Sequence, residues 1–291
     1  MNAITVLRIL LIVLTIAFAI VFIKDLVTHK EELKGTKNWL SLAIIGAVTD
    51  FFDTWGIGCF ATTQIGFKFT KTCPDQLMPG TLNIGHTIPI VLEALLFFSF
   101  VDIDPLTLYL MIAVSVAGAL VGASIVCKWN VKLVRIALGC TLFALAIVMA
   151  CKNAAIGPFG DVGTALELRG IKLILGLIAN FFLGALMMVG FGLYIPCTAL
   201  VTLLGMNIGA AFPIMMGSCA FLMDASGFKF IKEGKYDRKA ALALTIFGSI
   251  GVICAYLLLK YMFSLSTLTY IICVVMLFTS YSFFRDAFKQ K

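Results

Sequence analysis

The sequence predicts an all-α integral membrane protein with two inverted-topology repeats, each carrying a glycine-broken segment, and an extra N-terminal helix. Three observations predict it. The 291 residues are 61% hydrophobic and only 13% charged, with a mean hydropathy of +1.06, whereas a soluble domain carries about 25% charged residues. Apolar runs of about 20 residues, enough to cross a ~30 Å hydrocarbon core as a helix, recur along the chain. Two Gly-x-Gly breaks, at Gly56–Gly58 and Gly190–Gly192, lie 134 residues apart.

The first run, residues 4–23, is interrupted only by Arg8 and has no small-residue cleavage site before Lys24. It therefore reads as a retained helix rather than a leader. Further runs are expected near 82–100, 106–127, 133–151, 240–262 and 267–284. This divides the chain into an N-terminal helix and loop (1–38), a first repeat (39–151), an external connection (152–170) and a second repeat (171–291).

Charge decides how the chain threads. If residues 39–71 cross once, the basic loop 128–135 falls opposite the basic loop 24–38, against the positive-inside tendency. If the segment breaks at Gly56–Gly58 and returns, seventeen of the 22 Lys and Arg sort to one side. They lie in 24–38, at Lys68 and Lys71, in 128–135, in 227–239 and at the C-terminus. The sorting requires 171–205 to turn back as well. From Trp39 to Gly56 a helix rises about 25 Å, and from Ile171 to Gly190 about 28 Å, so the fold-back is better defined than its depth. The net charge of +7 is thus a topology signal and does not point to nucleic acid.

The sequence after each break also corresponds. "VDIDPLTLYLMIAVSVAGALVGASI" (101–125) aligns with "GKYDRKAALALTIFGSIGVICAYLL" (234–258), pairing Asp104 with Asp237 and Gly118 with Gly251. With the threading above, the halves have opposite orientation. Secondary transporters use that layout to build one site near the midplane.

The first break, "DTWGIGCFATT" (53–63), is polar where lipid-facing sequence would be apolar. Glycine pairs interrupt a membrane helix, and the freed backbone is tolerated only inside protein or along a wet cavity. Two half-helix N-termini aimed at one cavity offer N–H donors to an anion. The expected substrate-binding set is Thr54, Trp55, Gly56, Gly58, Thr62 and Thr63 from this break, with the Gln64 amide beside them. Gly190 and Gly192 join from the second break, and Asn83 and Ser218 from the helices that follow. Asp50, Asp53 and Glu93 lie within apolar sequence, where a charge costs roughly 2.5–3.5 kcal/mol on insertion scales. With His86 they are the expected coupling groups for a proton or sodium ion, since bare carboxylates would repel an anion. Asp224 reads as interfacial because Lys229 follows closely. Gly118 and Gly122 form a Gly-x-x-x-Gly packing motif.

Other chemistries find little support. Nine scattered cysteines and two histidines make neither a disulfide framework nor a recognisable metal motif, so no cofactor and no metal is expected. No H-E-x-x-H, G-x-S-x-G or phosphate-binding loop is present. A channel would use the same broken helices and stays the alternative. An intramembrane thiol-redox enzyme would have to rely on Cys59 and Cys197, which flank the breaks.

The stretch "GFGLYIPCTALVTLLGMNIGAAFPIMMGSCAF…EGKYDRKAALALTIFGSIG" is similar, over about 80 residues, to the pattern of the TauE/SafE family of sulfite and organosulfur-anion exporters. The first half is similar more loosely, with "GIG" where family members often carry a run of glycines. Residues 4–23 add a helix to that family's usual eight. The resemblance implies movement of small sulfur-containing or carboxylate anions across a bacterial plasma membrane.

Overall fold

The computed structural model describes residues 3–34, 38–98, 102–122, 130–154, 163–262 and 265–289. Lys37, Lys128, Lys291, Cys127 and part of the 152–170 connection lie outside them.

Apolar composition produces helices almost everywhere. Among the described residues they are α1 (Ala3–Thr28), α2 (Lys30–Leu33), α3 (Trp39–Asp53), α4 (Cys59–Thr70), α5 (Met78–Gly85), α6 (Thr87–Phe97), α7 (Pro105–Ala117), α8 (Val131–Asn153), α9 (Gly170–Met187), α10 (Tyr194–Leu203), α11 (Ala211–Glu233), α12 (Arg238–Met262) and α13 (Leu265–Lys289). Four are long and apolar enough to span a membrane, or five if α5 and α6 count as one bent span. Caps set several starts. Asn38 accepts the Leu40 N–H at 2.9 Å, Asp104 accepts Thr107 N–H at 2.8 Å, and Asp237 accepts Ala240 N–H at 3.0 Å. The aligned acids Asp104 and Asp237 thus do the same job.

The α5–α6 span bends by 42° at His86, and proline explains it. Pro89 has no N–H for the Gly85 carbonyl, and the Thr245 hydroxyl of α12 donates to that carbonyl at 3.0 Å instead.

Helix α11 is the buried centre of the bundle, with α1, α5, α6, α7 and α10 against it. Around it α3 packs along α12, α7 along α9, and α8 along α13. Small residues permit the first two approaches. A Cβ on Gly251 would collide with the Ala47 carbonyl, and one on Gly118 with the Phe181 carbonyl. Gly118 is therefore the packing residue that its motif predicted.

Both glycine segments interrupt the helices, and in the same way. In the first, Gly56 N–H donates to Asp53 O at 2.7 Å and Ile57 N–H to Phe52 O at 3.2 Å. In the second, Gly190 N–H donates to Met187 O at 3.1 Å and Phe191 N–H to Leu186 O at 3.2 Å. Gly56 (φ 85°) and Gly190 (φ 96°) adopt the left-handed backbone that glycine enters without a Cβ penalty. The chain then folds back, α4 against α3 and α10 against α9. At 12 and 10 residues, α4 and α10 rise about 18 and 15 Å, too short to cross alone.

Ion pairs fit the threading read from charge. Arg238 pairs with Asp25 at 2.7 Å and Glu32 at 2.8 Å, joining two loops assigned to the same side. Arg169 clasps Asp104 through two nitrogens at 2.9 and 3.0 Å on the other. The hydrogen-bonded guanidinium, with the Thr107 amide and hydroxyl, holds the Asp104 carboxyl well below the usual carboxylate range. A depressed folded pKa contributes stability above the unfolded value of about 3.9, and that stability is lost as pH falls through the folded value. The melting difference between wild type and Asp104→Asn is therefore expected to be constant above about pH 5 and to shrink below about pH 4, measured by thermal unfolding in detergent. A difference that is unchanged down to pH 2 would remove the ion pair as its cause.

Candidate functional site

Two linked features occupy the space between the glycine turns. One is a cavity of about 500 Å³ whose walls include Gly58 and Thr62 of the first turn and α4, and Gly190, Gly192 and Tyr194 of the second. Residues of α13 close the far wall. The cavity contains three cations, Lys68, Arg135 and Arg285, against one acid among its described lining residues, Asp286. Arg285 reaches Asp286 at 3.4 Å, and Arg135 donates to the Asp286 backbone carbonyl at 3.4 Å.

The other feature is a buried polar cluster behind the turns. A small void bordered by Asp53, Cys59 and Ile90 shares Gly58, Phe60, Gly192 and Tyr194 with the large cavity. Those four residues separate the cavity from the cluster.

The cluster has two arms. In the first, His86 Nδ1 lies 2.8 Å from Asp50 Oδ1 and Nε2 lies 3.1 Å from Thr63 Oγ1. Thr63 donates its one proton to Thr49 at 3.0 Å, so it accepts from His86 and Nε2 carries hydrogen. Whichever of Asp50 and Nδ1 holds the proton between them, the pair is neutral as a whole. In the second arm, the Tyr194 hydroxyl donates to Glu93 Oε2 at 2.7 Å, and Thr54 Oγ1 lies 2.9 Å from both Glu93 Oε1 and the Asp50 carbonyl. One hydroxyl cannot donate fully to both. Both contacts are satisfied together when Glu93 carries a proton and donates it to Thr54.

Asp53 stands between the arms. It is fully buried, with the Cys59 amide and thiol beside it, yet neither carboxylate oxygen has a hydrogen-bond partner of acceptable geometry. An ionised carboxylate left like this costs several kcal/mol, so a proton or a cation must neutralise it. One carboxylate oxygen of Asp50, the Cys59 sulfur and a His86 nitrogen lie within 4.8 Å of one another, a donor set able to hold a cation. Here His86 Nδ1 and Asp50 satisfy each other.

The expected site residues therefore divide. Gly58, Thr62, Gly190 and Gly192 line the cavity, and Gly56 shapes the turn. Thr54 and Thr63 belong to the acid cluster. The Gln64 amide lines the cavity but donates to the Gly190 carbonyl at 2.8 Å, tying one turn to the other. The Trp55 indole donates to the Ala255 carbonyl at 3.3 Å and packs tilted against Phe51 and edge-on to Phe52, which makes it an anchor on α12. Asn83 donates to the Pro79 carbonyl at 2.8 Å. Ser218 accepts from Asn180 at 3.2 Å; neither Asn83 nor Ser218 is among the cavity's lining residues. Asp224 is fully buried, and its Oδ2 lies 2.7 Å from Thr15 Oγ1 of α1, so the N-terminal helix covers it. Cys59 and Cys197 are free and buried.

Tyr194 and the three cavity cations were not singled out as site residues from sequence. Tyr194 comes two residues after the second Gly-x-Gly, but its partner is 101 residues away. No family model, no curated protein and no solved structure matches the chain.

Proposed function

We propose that this chain is a secondary transporter of the TauE/SafE kind, moving small organosulfur or carboxylate anions across a bacterial plasma membrane by alternating access. The observation that carries the reading is the cationic cavity walled by both glycine turns, with an unpartnered buried carboxylate directly behind them. The matching turns and the exchanged packing, α3 on α12 and α9 on α7, support an inverted repeat. Lys68, Arg135 and Arg285 lie near the ends of α4, α8 and α13 that the charge reading puts on the cytoplasmic side, which supports a cavity open to that side.

Asp53 is the proposed coupling group. Its proton offsets a buried charge while an anion occupies the cavity, and releasing it to one side drives the cycle. The Tyr194–Glu93 bond links the second turn to α6, so a change at Glu93 is felt across both halves. A channel would share the cavity but would not accumulate solute against a gradient.

The test has two parts. Melting of the purified protein is followed against sulfite, sulfate, thiosulfate, sulfoacetate, taurine and simple carboxylates. An anion at about 100 times its dissociation constant stabilises the fold by roughly 2.7 kcal/mol. Stabilisation by cations alone would replace the anion reading with an ion site at Asp50 and Asp53. In proteoliposomes, Asp53→Asn is expected to lower accumulation driven by a pH gradient at least tenfold while leaving solute exchange. Undiminished pH-driven uptake by that variant would remove Asp53 from coupling.

A further inference from the structure

The cavity is too large and too apolar for a bare oxyanion. Its volume of about 500 Å³ falls in the range of sites for organic ligands, about 300–1,000 Å³. A water molecule occupies about 30 Å³ of liquid, so a five-atom oxyanion would leave most of the space to solvent. Its polar groups also sit apart. Gly58 precedes the first residue of α4 and Lys68 is in its last turn, which separates them by about 15 Å along the helix. Arg285 and Arg135 meet at Asp286. Between the turns and these cations the wall is mostly hydrocarbon, with Ile65 of α4, Phe191 of the second turn, and Val274, Phe278 and Phe283 of α13 beside the polar Gln64, Thr279 and Ser282; Phe191 and Phe283 are in ring contact at 5.7 Å.

We infer that the transported anion carries an elongated apolar body, an aryl or alkyl sulfonate or carboxylate of roughly ten to twenty non-hydrogen atoms. Its head pairs with Lys68 and Arg285 and its body lies along Ile65, Phe278 and Phe283 toward the glycine turns. The inference rests on the transporter reading and narrows its substrate class. The net positive charge of the described lining residues selects an anion, and the aromatic wall selects what the anion carries. A free solute, not a membrane lipid, is the proposed occupant, because polar groups recur around the cavity, at the turns, at Thr279 and Ser282 and at the cations, whereas a lipid tail needs one end apolar.

The experiment is a titration of the full-length protein in uncharged detergent with methanesulfonate, benzenesulfonate and naphthalene-2-sulfonate. Naphthyl methyl sulfone serves as the uncharged control. Affinity is expected to rise roughly 10- to 100-fold from methane- to naphthalenesulfonate, and to fall about tenfold in Lys68→Gln/Arg285→Gln. Equal affinity for methanesulfonate, sulfite and naphthalenesulfonate would overturn the inference and leave the transporter reading standing. Binding of the sulfone as tightly as the sulfonate would overturn it too, by removing the role of charge. Displacement of naphthalenesulfonate by phosphatidylglycerol at equal affinity would make the cavity a lipid seat and end the inference. If no anion of any size binds, the transporter reading itself falls.

Discussion

Leucine at Gly56 or at Gly190 is expected to reduce solute flux to background, at least 100-fold, while the protein still reaches the membrane. Both glycines hold positive φ, 85° and 96°, where a residue with a Cβ pays about 1–2 kcal/mol. The strain is relieved by rotating the turn, and the turn sets where α4 and α10 begin. At Gly190 the new side chain also starts 3.8 Å from the Gln64 amide, whose bond to the Gly190 carbonyl joins the turns. Alanine at the same positions adds the strain with little bulk and is expected to retain partial flux. The measurement is uptake into proteoliposomes, normalised to the reconstituted, monodisperse protein. Wild-type transport by either leucine variant would refute a site built from both turns.

His86→Ala is expected to destabilise the protein by about 3–5 kcal/mol, the usual result of removing one partner of a buried pair. Asp50 loses its ring partner at 2.8 Å and is left in a fully buried position. Little room lies on its other side: a Cβ on Gly248 of α12 would strike the Asp50 carboxylate. Asp50→Asn/His86→Ala removes the orphaned charge and should regain part of the loss. The two single variants and the double variant therefore form a cycle with non-additive melting shifts. Additive shifts would mean that Asp50 and His86 do not act as a pair. The same cycle read in transport separates structure from coupling.

Much of the fold was legible because its causes are local. Apolar length makes the helices, Gly-x-Gly interrupts them, and Asp104 and Asp237 cap the next ones. The bend at His86 had a sequence cause in Pro89, and it divided the expected 82–100 run into α5 and α6. Side-chain roles were less legible. Trp55, Thr54 and Gln64 read as donors to a ligand, but each spends its hydrogen bond on the protein. A hydroxyl or amide in an apolar helix takes whichever partner packing brings, and the sequence does not print that partner.

By itself, then, the sequence determined an all-α chain with helices long and apolar enough to span a membrane, and its two matching breaks. Composition and glycine backbone freedom are properties of short stretches, so they survive without knowledge of the rest. Only the tertiary structure decided that Asp50 meets His86, that Tyr194 holds Glu93, that Asp53 has no hydrogen-bond partner, and that Lys68, Arg135 and Arg285 share one cavity. Those outcomes depend on contacts between residues 36 to more than 100 positions apart, and the close helix approaches that place them are set by packing across the whole bundle.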